Sequence, residues 1–170
     1  MKGLPTHQWP PLIVKQQIDE YQGLISTIRT SVSDSMPPRV EAYLVRYAVV
    51  RSAGLLESVR DDLAREYSRT IAPERVFNRI KKSLTSSLGC TPKQLQDFVR
   101  TFDSIWADEL AKLFQADDSR HSNNVGSLVE TRKKIAHGKS SQVSTSQILR
   151  WSDSVIQITK WMVNRFDPNN

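Results

Sequence analysis

Between Tyr43 and Leu56 the chain carries Leu44, Val45, Val49, Val50, Leu55 and Leu56, with no proline and no polar-apolar alternation. At 3.6 residues per turn these side chains fall on every side of the axis, and a helix that is apolar all round is a buried one. The segment therefore predicts a central helix that the rest of the chain must wrap. Three charges interrupt it: Arg46, Arg51 and Glu57. Arg46 and Glu57 lie three turns apart on nearly the same row, and charges on a buried helix need partners. They are expected to pair with neighbouring elements in a supporting role.

The flanking segments repeat the helical period. Val14, Ile18, Tyr21, Ile25, Ile28 and Val32 predict a first amphipathic helix. Ser33-Asp34-Ser35 followed by Pro37-Pro38 reads as a stop and restart, so the central helix should run from there to about Tyr67. Pro73 opens a basic third helix with Val76, Phe77, Ile80 and Leu84, and residues 86–90 read as a turn. Thr91-Pro92 is an N-cap and first-turn proline for a helix bearing Leu95, Phe98, Val99 and Phe102. Trp106, Leu110, Leu113 and Phe114 continue the period after a bend expected near Asp103, and residues 117–124 read as a polar loop. Ser144 with Gln147 has the capping-box spacing and starts a last helix striped with Ile148, Trp151, Val155, Ile158, Met162 and Phe166.

With no strand pattern and no internal repeat, the expected fold is an all-α bundle of two long helices and several shorter ones. It should occupy residues 12–166 as one domain. Met1 to Pro11, with three prolines, is an expected arm that Trp9 can anchor, and residues 167–170 an expected frayed tail. A chain of 170 residues can bury a sizeable core without disulfides or a structural metal.

The lone Cys90 excludes an internal disulfide framework and fits a reducing compartment. The first residues lack an apolar signal-peptide segment, and no apolar run reaches bilayer length, so a soluble, cytoplasmic protein without a membrane partner is expected. His7, His121 and His137 have no ligand-pair spacing with one another or with Cys90, which argues against zinc. There is no Gly-rich phosphate loop, GxSxG elbow or HExxH, and no cofactor is expected. The net charge of +6, from 24 Lys+Arg against 18 Asp+Glu, gives a field that attracts polyanions.

Chemistry concentrates in Glu130-Thr131-Arg132-Lys133-Lys134-Ile135-Ala136-His137-Gly138. Arg132 falls in the row of Val125, Leu128, Val129 and Ala136, placing a guanidinium where a Leu would be expected. Gly138 is the residue a helix end prefers, so His137 should sit in the last turn. Arg and His at this separation stand too far around the axis to touch, but both can flank one groove completed by a second surface. Such a pair suits metal-independent RNA cleavage, with His moving a proton and Arg stabilising the charged phosphorane.

The run Leu128 to Gly138 resembles the Rx4-6H signature of the HEPN superfamily, in its RiboL-PSP-like branch, where an Ile-Ala-His-Gly ending is common. The order of helices, with an internal Glu like Glu57 on the long second one, is similar as well. The resemblance implies a homodimer in which two motif helices form a composite ribonuclease site, with Arg132 and His137 catalytic. It also implies a toxin or phage-defence effector acting on RNA, restrained by a nucleotidyltransferase-type antitoxin or another defence partner. Lys133, Lys134 and Lys139 are candidates for holding the RNA backbone. Lys133 departs from the Asn, Asp or His that usually follows the arginine. Two alternatives stay open: a catalytically silent HEPN dimer that binds nucleic acid or nucleotide, and a plain helical interaction protein.

Overall fold

A computed structural model of the protein describes residues 8–31, 36–84, 89–139 and 141–170. Six helices and no strand are present among them: α1 (Leu12–Ser31), α2 (Pro38–Ile71), α3 (Glu74–Leu84), α4 (Pro92–Arg100), α5 (Ser104–Ala136) and α6 (Thr145–Arg165). The all-α expectation holds, with α2 and α5 as the two long helices.

α2 packs against α1, α3, α5 and α6, and is therefore the centre. It is not buried all round. Val45, Ala48, Val49, Ala53, Leu56, Val59, Leu63 and Ala64 face the core, whereas Val40, Tyr43, Tyr47 and Val50 form an exposed apolar stripe at spacings of three and four. Apolar residues on every side had implied burial on every side, but the neighbouring helices cover only one face. The stripe belongs to a surface the single chain leaves open.

α1 contributes Val14, Tyr21, Ile25 and Ile28 to the core, and α6 with the Phe166 that ends it contributes all six residues of the predicted stripe. Each such buried side chain stabilises the fold by about 1.5–3 kcal/mol relative to exposure. Both predicted caps form: Thr91 and Gln94 make reciprocal bonds at the start of α4, and Ser144 and Gln147 do so at the start of α6. The signal at residues 33–35 lies outside the described residues; α2 itself begins at Pro38 without a side-chain cap. Trp9 does anchor its segment, donating from Nε1 to the Val163 carbonyl at 2.7 Å. At the other end Asn170 Nδ2 donates to the Asn164 carbonyl at 2.8 Å.

Two boundaries differ from expectation. Asp103 breaks the chain instead of bending it: its carboxylate accepts from the amides of Ile105 and Trp106 and caps α5. The expected polar loop at 117–124 shrinks to a kink inside α5, where Asp117, Asp118 and Ser119 take positive φ. Asp and Ser tolerate that region better than branched residues do, because short polar side chains can bond locally. Helix resumes at once, and His121 becomes a buried helical residue whose Nδ1 lies 2.9 Å from Ser154 Oγ. Asn124 donates to the same hydroxyl at 2.9 Å, tying α5 to α6. Reading residues 117–124 by polarity alone missed that His121 and Asn124 satisfy each other's needs through α6.

Candidate active site

Along the last two turns of α5 burial falls away on the motif row, while Ile135 still packs against the core. Val125, Leu128 and Val129 are buried, but the same row ends in half-exposed Arg132 and exposed Ala136. The arginine is thus the point at which the stripe leaves the core. Its Nη2 lies 3.7 Å from Glu57 Oε2 on α2, with side-chain exposures of 40% and 29%. Glu57, expected to find a partner on a neighbouring element, finds it in the motif arginine.

The helix stops where Gly138 permits it. Gly138 takes φ of +66°, its amide donates to the Ile135 carbonyl at 3.0 Å, and the Lys139 amide donates to the Lys134 carbonyl at 2.9 Å. These are the two bonds of a Schellman stop, which satisfies carbonyls that a bare helix end would leave unpaired. His137 occupies the cap position just before the turn, its own amide bonded to the Lys133 carbonyl at 3.1 Å, and its ring is exposed. An imidazole so placed is free to meet a substrate.

Of the three lysines expected to hold a backbone, Lys134 is engaged by Glu130 at 2.9 Å, a bond that holds the Glu130 carboxyl below its ordinary range. Lys133 and Lys139 are exposed and have no ion pair among the described residues. Arg46 is likewise exposed and unpaired among them, against the expectation of a salt bridge. It borders a groove lined by Ala42, residues 141–144 and Gln147. Arg51 does pair, at 3.6 Å from Glu20 on α1.

Behind Glu57 stands a residue the sequence did not single out. Arg60 is 1% exposed, with Nε 2.8 Å from Asp61 Oδ1, Nη1 2.7 Å from the Gly89 carbonyl, and its guanidinium 5.0 Å from the Phe98 ring centre. It holds the segment entering α4 against α2 and so places Cys90 beside Glu57. Burial, followed by the Glu57 charge, pushes the Cys90 thiol up to about 12. Its Sγ points to the Ala53 carbonyl at 3.7 Å, making it a packed wall and not a nucleophile. The available signal was Arg60's place among Val59, Leu63 and Ala64, with Gly89 the carbonyl supplier no spacing rule reveals.

The chain therefore presents a guanidinium braced by a carboxylate, an exposed imidazole beyond it, and two exposed lysines, Lys133 and Lys139, with no ion pair among the described residues. Among the described residues no group of three or more His, Cys, Asp or Glu is placed to hold a metal ion, and no helix is long and apolar enough to cross a membrane. A model of the family described as RiboL-PSP-HEPN matches residues 14–166. No curated protein and no solved structure matches the chain.

Proposed function

The chain belongs to the RiboL-PSP-HEPN family, and from that premise we propose that it is a metal-independent endoribonuclease whose site is composed by two copies. The observation that carries the reading is the motif end itself: Arg132 braced by Glu57, with His137 exposed beyond it at a Gly138 stop. A core role would account for neither the half-exposed Arg132 nor the exposed His137.

The chemistry asks for two proton transfers. One base takes the proton of the 2′-hydroxyl as its oxygen attacks phosphorus, and one acid protonates the departing 5′-oxygen, leaving a 2′,3′-cyclic phosphate and a 5′-hydroxyl. One protomer offers one motif histidine. A second copy supplies the other, and the two Arg132 side chains stabilise the phosphorane charge as it develops. The exposed α2 stripe of Val40, Tyr43, Tyr47 and Val50 supports this, because it gives a second copy an apolar surface on the helix that carries Glu57. A ribonuclease of this kind harms its own cell when unrestrained. That fits a toxin or phage-defence effector held in check by an antitoxin, for which a nucleotidyltransferase-type protein is the proposed class.

Incubation of total RNA with the purified protein in EDTA, beside Arg132→Ala and His137→Ala, tests the assignment. Cleavage by the unmutated protein alone is expected. Equal cleavage by all three would remove both residues from the chemistry, and RNA binding without cleavage would favour a silent RNA-binding dimer.

A further inference from the structure

One row of α2 carries Arg39, Arg46 and Glu57, and Glu57 meets Arg132. Beyond the Gly138 stop the chain continues towards the start of α2, where residues 141–144 and Gln147 face Ala42 and Arg46 across a groove of about 590 Å³. The groove is thus continuous in sequence with the motif: four residues after His137 the backbone is already its wall.

The charges along this seam are unevenly used. Glu41 accepts a hydrogen bond from the Thr145 hydroxyl, Glu57 is paired with Arg132, and Glu130 with Lys134. Arg39 donates to the Tyr43 hydroxyl at 3.3 Å, while Arg46, Lys133 and Lys139 have no acidic partner among the described residues. The acids are spoken for and the cations are not, so the seam presents a positive track to solvent. In the groove wall the Ser141 hydroxyl is buried without a hydrogen-bond partner among the described residues.

We propose that this groove holds a backbone phosphate of single-stranded RNA outside the cleaved step, with Arg46 as its ligand. The inference rests on the ribonuclease reading and extends it to the path of the strand. Eleven residues of helix separate Arg46 from Glu57, or about 16 Å along the axis. Stacked nucleotides rise about 3.4 Å each along one strand, so the two sites lie roughly three to five nucleotides apart, fewer the more the strand is drawn out. Arg46 therefore contributes only to substrates long enough to span that distance, and it contributes charge without base preference.

The test uses the cleavage-dead His137→Ala protein with and without Arg46→Gln, and fluorescent single-stranded RNA of about three and about ten nucleotides, titrated by anisotropy over a range of salt. The Arg46 change is expected to lower affinity for the longer RNA about tenfold more than for the shorter, and to reduce the slope of log affinity against log salt by about 0.7, one phosphate contact on a single strand. Arg46→Lys should restore the slope. An unchanged slope and an unchanged ratio of long to short affinity would overturn the subsite while leaving the catalytic assignment in place, and would turn attention to an acidic protein as the groove's occupant. No RNA binding by the Arg46-intact protein at either length would overturn both.

Discussion

Replacing Glu57 with Gln separates what the Arg132 brace does for the fold from what it does for the site. The pair stands at 3.7 Å, with 40% and 29% of the two side chains exposed. At that distance two unit charges attract by about 1 kcal/mol in a water-like dielectric. Half-exposed pairs deliver about 0.5–1 kcal/mol after side-chain ordering and screening. For a chain of this size that corresponds to a drop in Tm of about 1–4 °C. The site should lose more. Gln keeps the shape but not the charge, so Arg132 spends less time aimed at the substrate, and cleavage should fall roughly tenfold, against about 10²–10³-fold when the guanidinium itself is removed. Thermal melts and RNA cleavage rates of the same preparations give both numbers. A melt lowered by much more than this with cleavage unchanged would refute the reasoning, because Glu57 would then be a structural anchor only.

Two further perturbations probe groups that support the motif. Arg60→Ala removes a buried guanidinium bonded to Asp61 and Gly89 and should cost about 3–5 kcal/mol in denaturant melts, whereas Arg60→Met, apolar and of similar length, keeps the space filled and should cost far less; equal losses would show that the bonds to Asp61 and Gly89, and not the filled space, carry the stabilisation. Burial, followed by the neighbouring Arg120, lowers the His121 pKa below its ordinary 6.5. The unfolded chain therefore binds a proton first as pH falls, and His121's neutral form contributes stability above about pH 6.5 that is lost below it. Melts across that window should decline with acid, and His121→Gln should flatten the decline; an unaltered decline would assign it to other groups.

Much of this arrangement was legible in the residues because local rules and packing agreed. Thr91 with Pro92, Ser144 with Gln147, and Gly138 each specify a helix end through bonds or backbone preferences that a few neighbouring residues supply, and all three ends lie where those residues put them. The α6 stripe is buried in full because both its sides meet other helices. Where a feature depends on which neighbour arrives, the sequence was silent. The open face of α2 has the same residue types as its buried face, and only the positions of α1, α5 and α6 distinguish them. His121 looked like part of a loop because its partner Ser154 is 33 residues away. Arg132 was marked by its misplaced charge on an apolar row, but its brace by Glu57 and the lack of an acidic partner for Arg46 are facts of tertiary placement.

The claim on which the rest depends is that two copies make one site. It is tested most directly by a mixed dimer in which one protomer is unmutated and the other carries Arg132→Ala and His137→Ala together, purified through different tags on the two protomers. A composite site left with one imidazole has either its base or its acid but not both, so cleavage in EDTA should fall about 10²-fold or more below the unmutated dimer. A mixed dimer that keeps half the activity would place the whole site within one protomer and contradict the account.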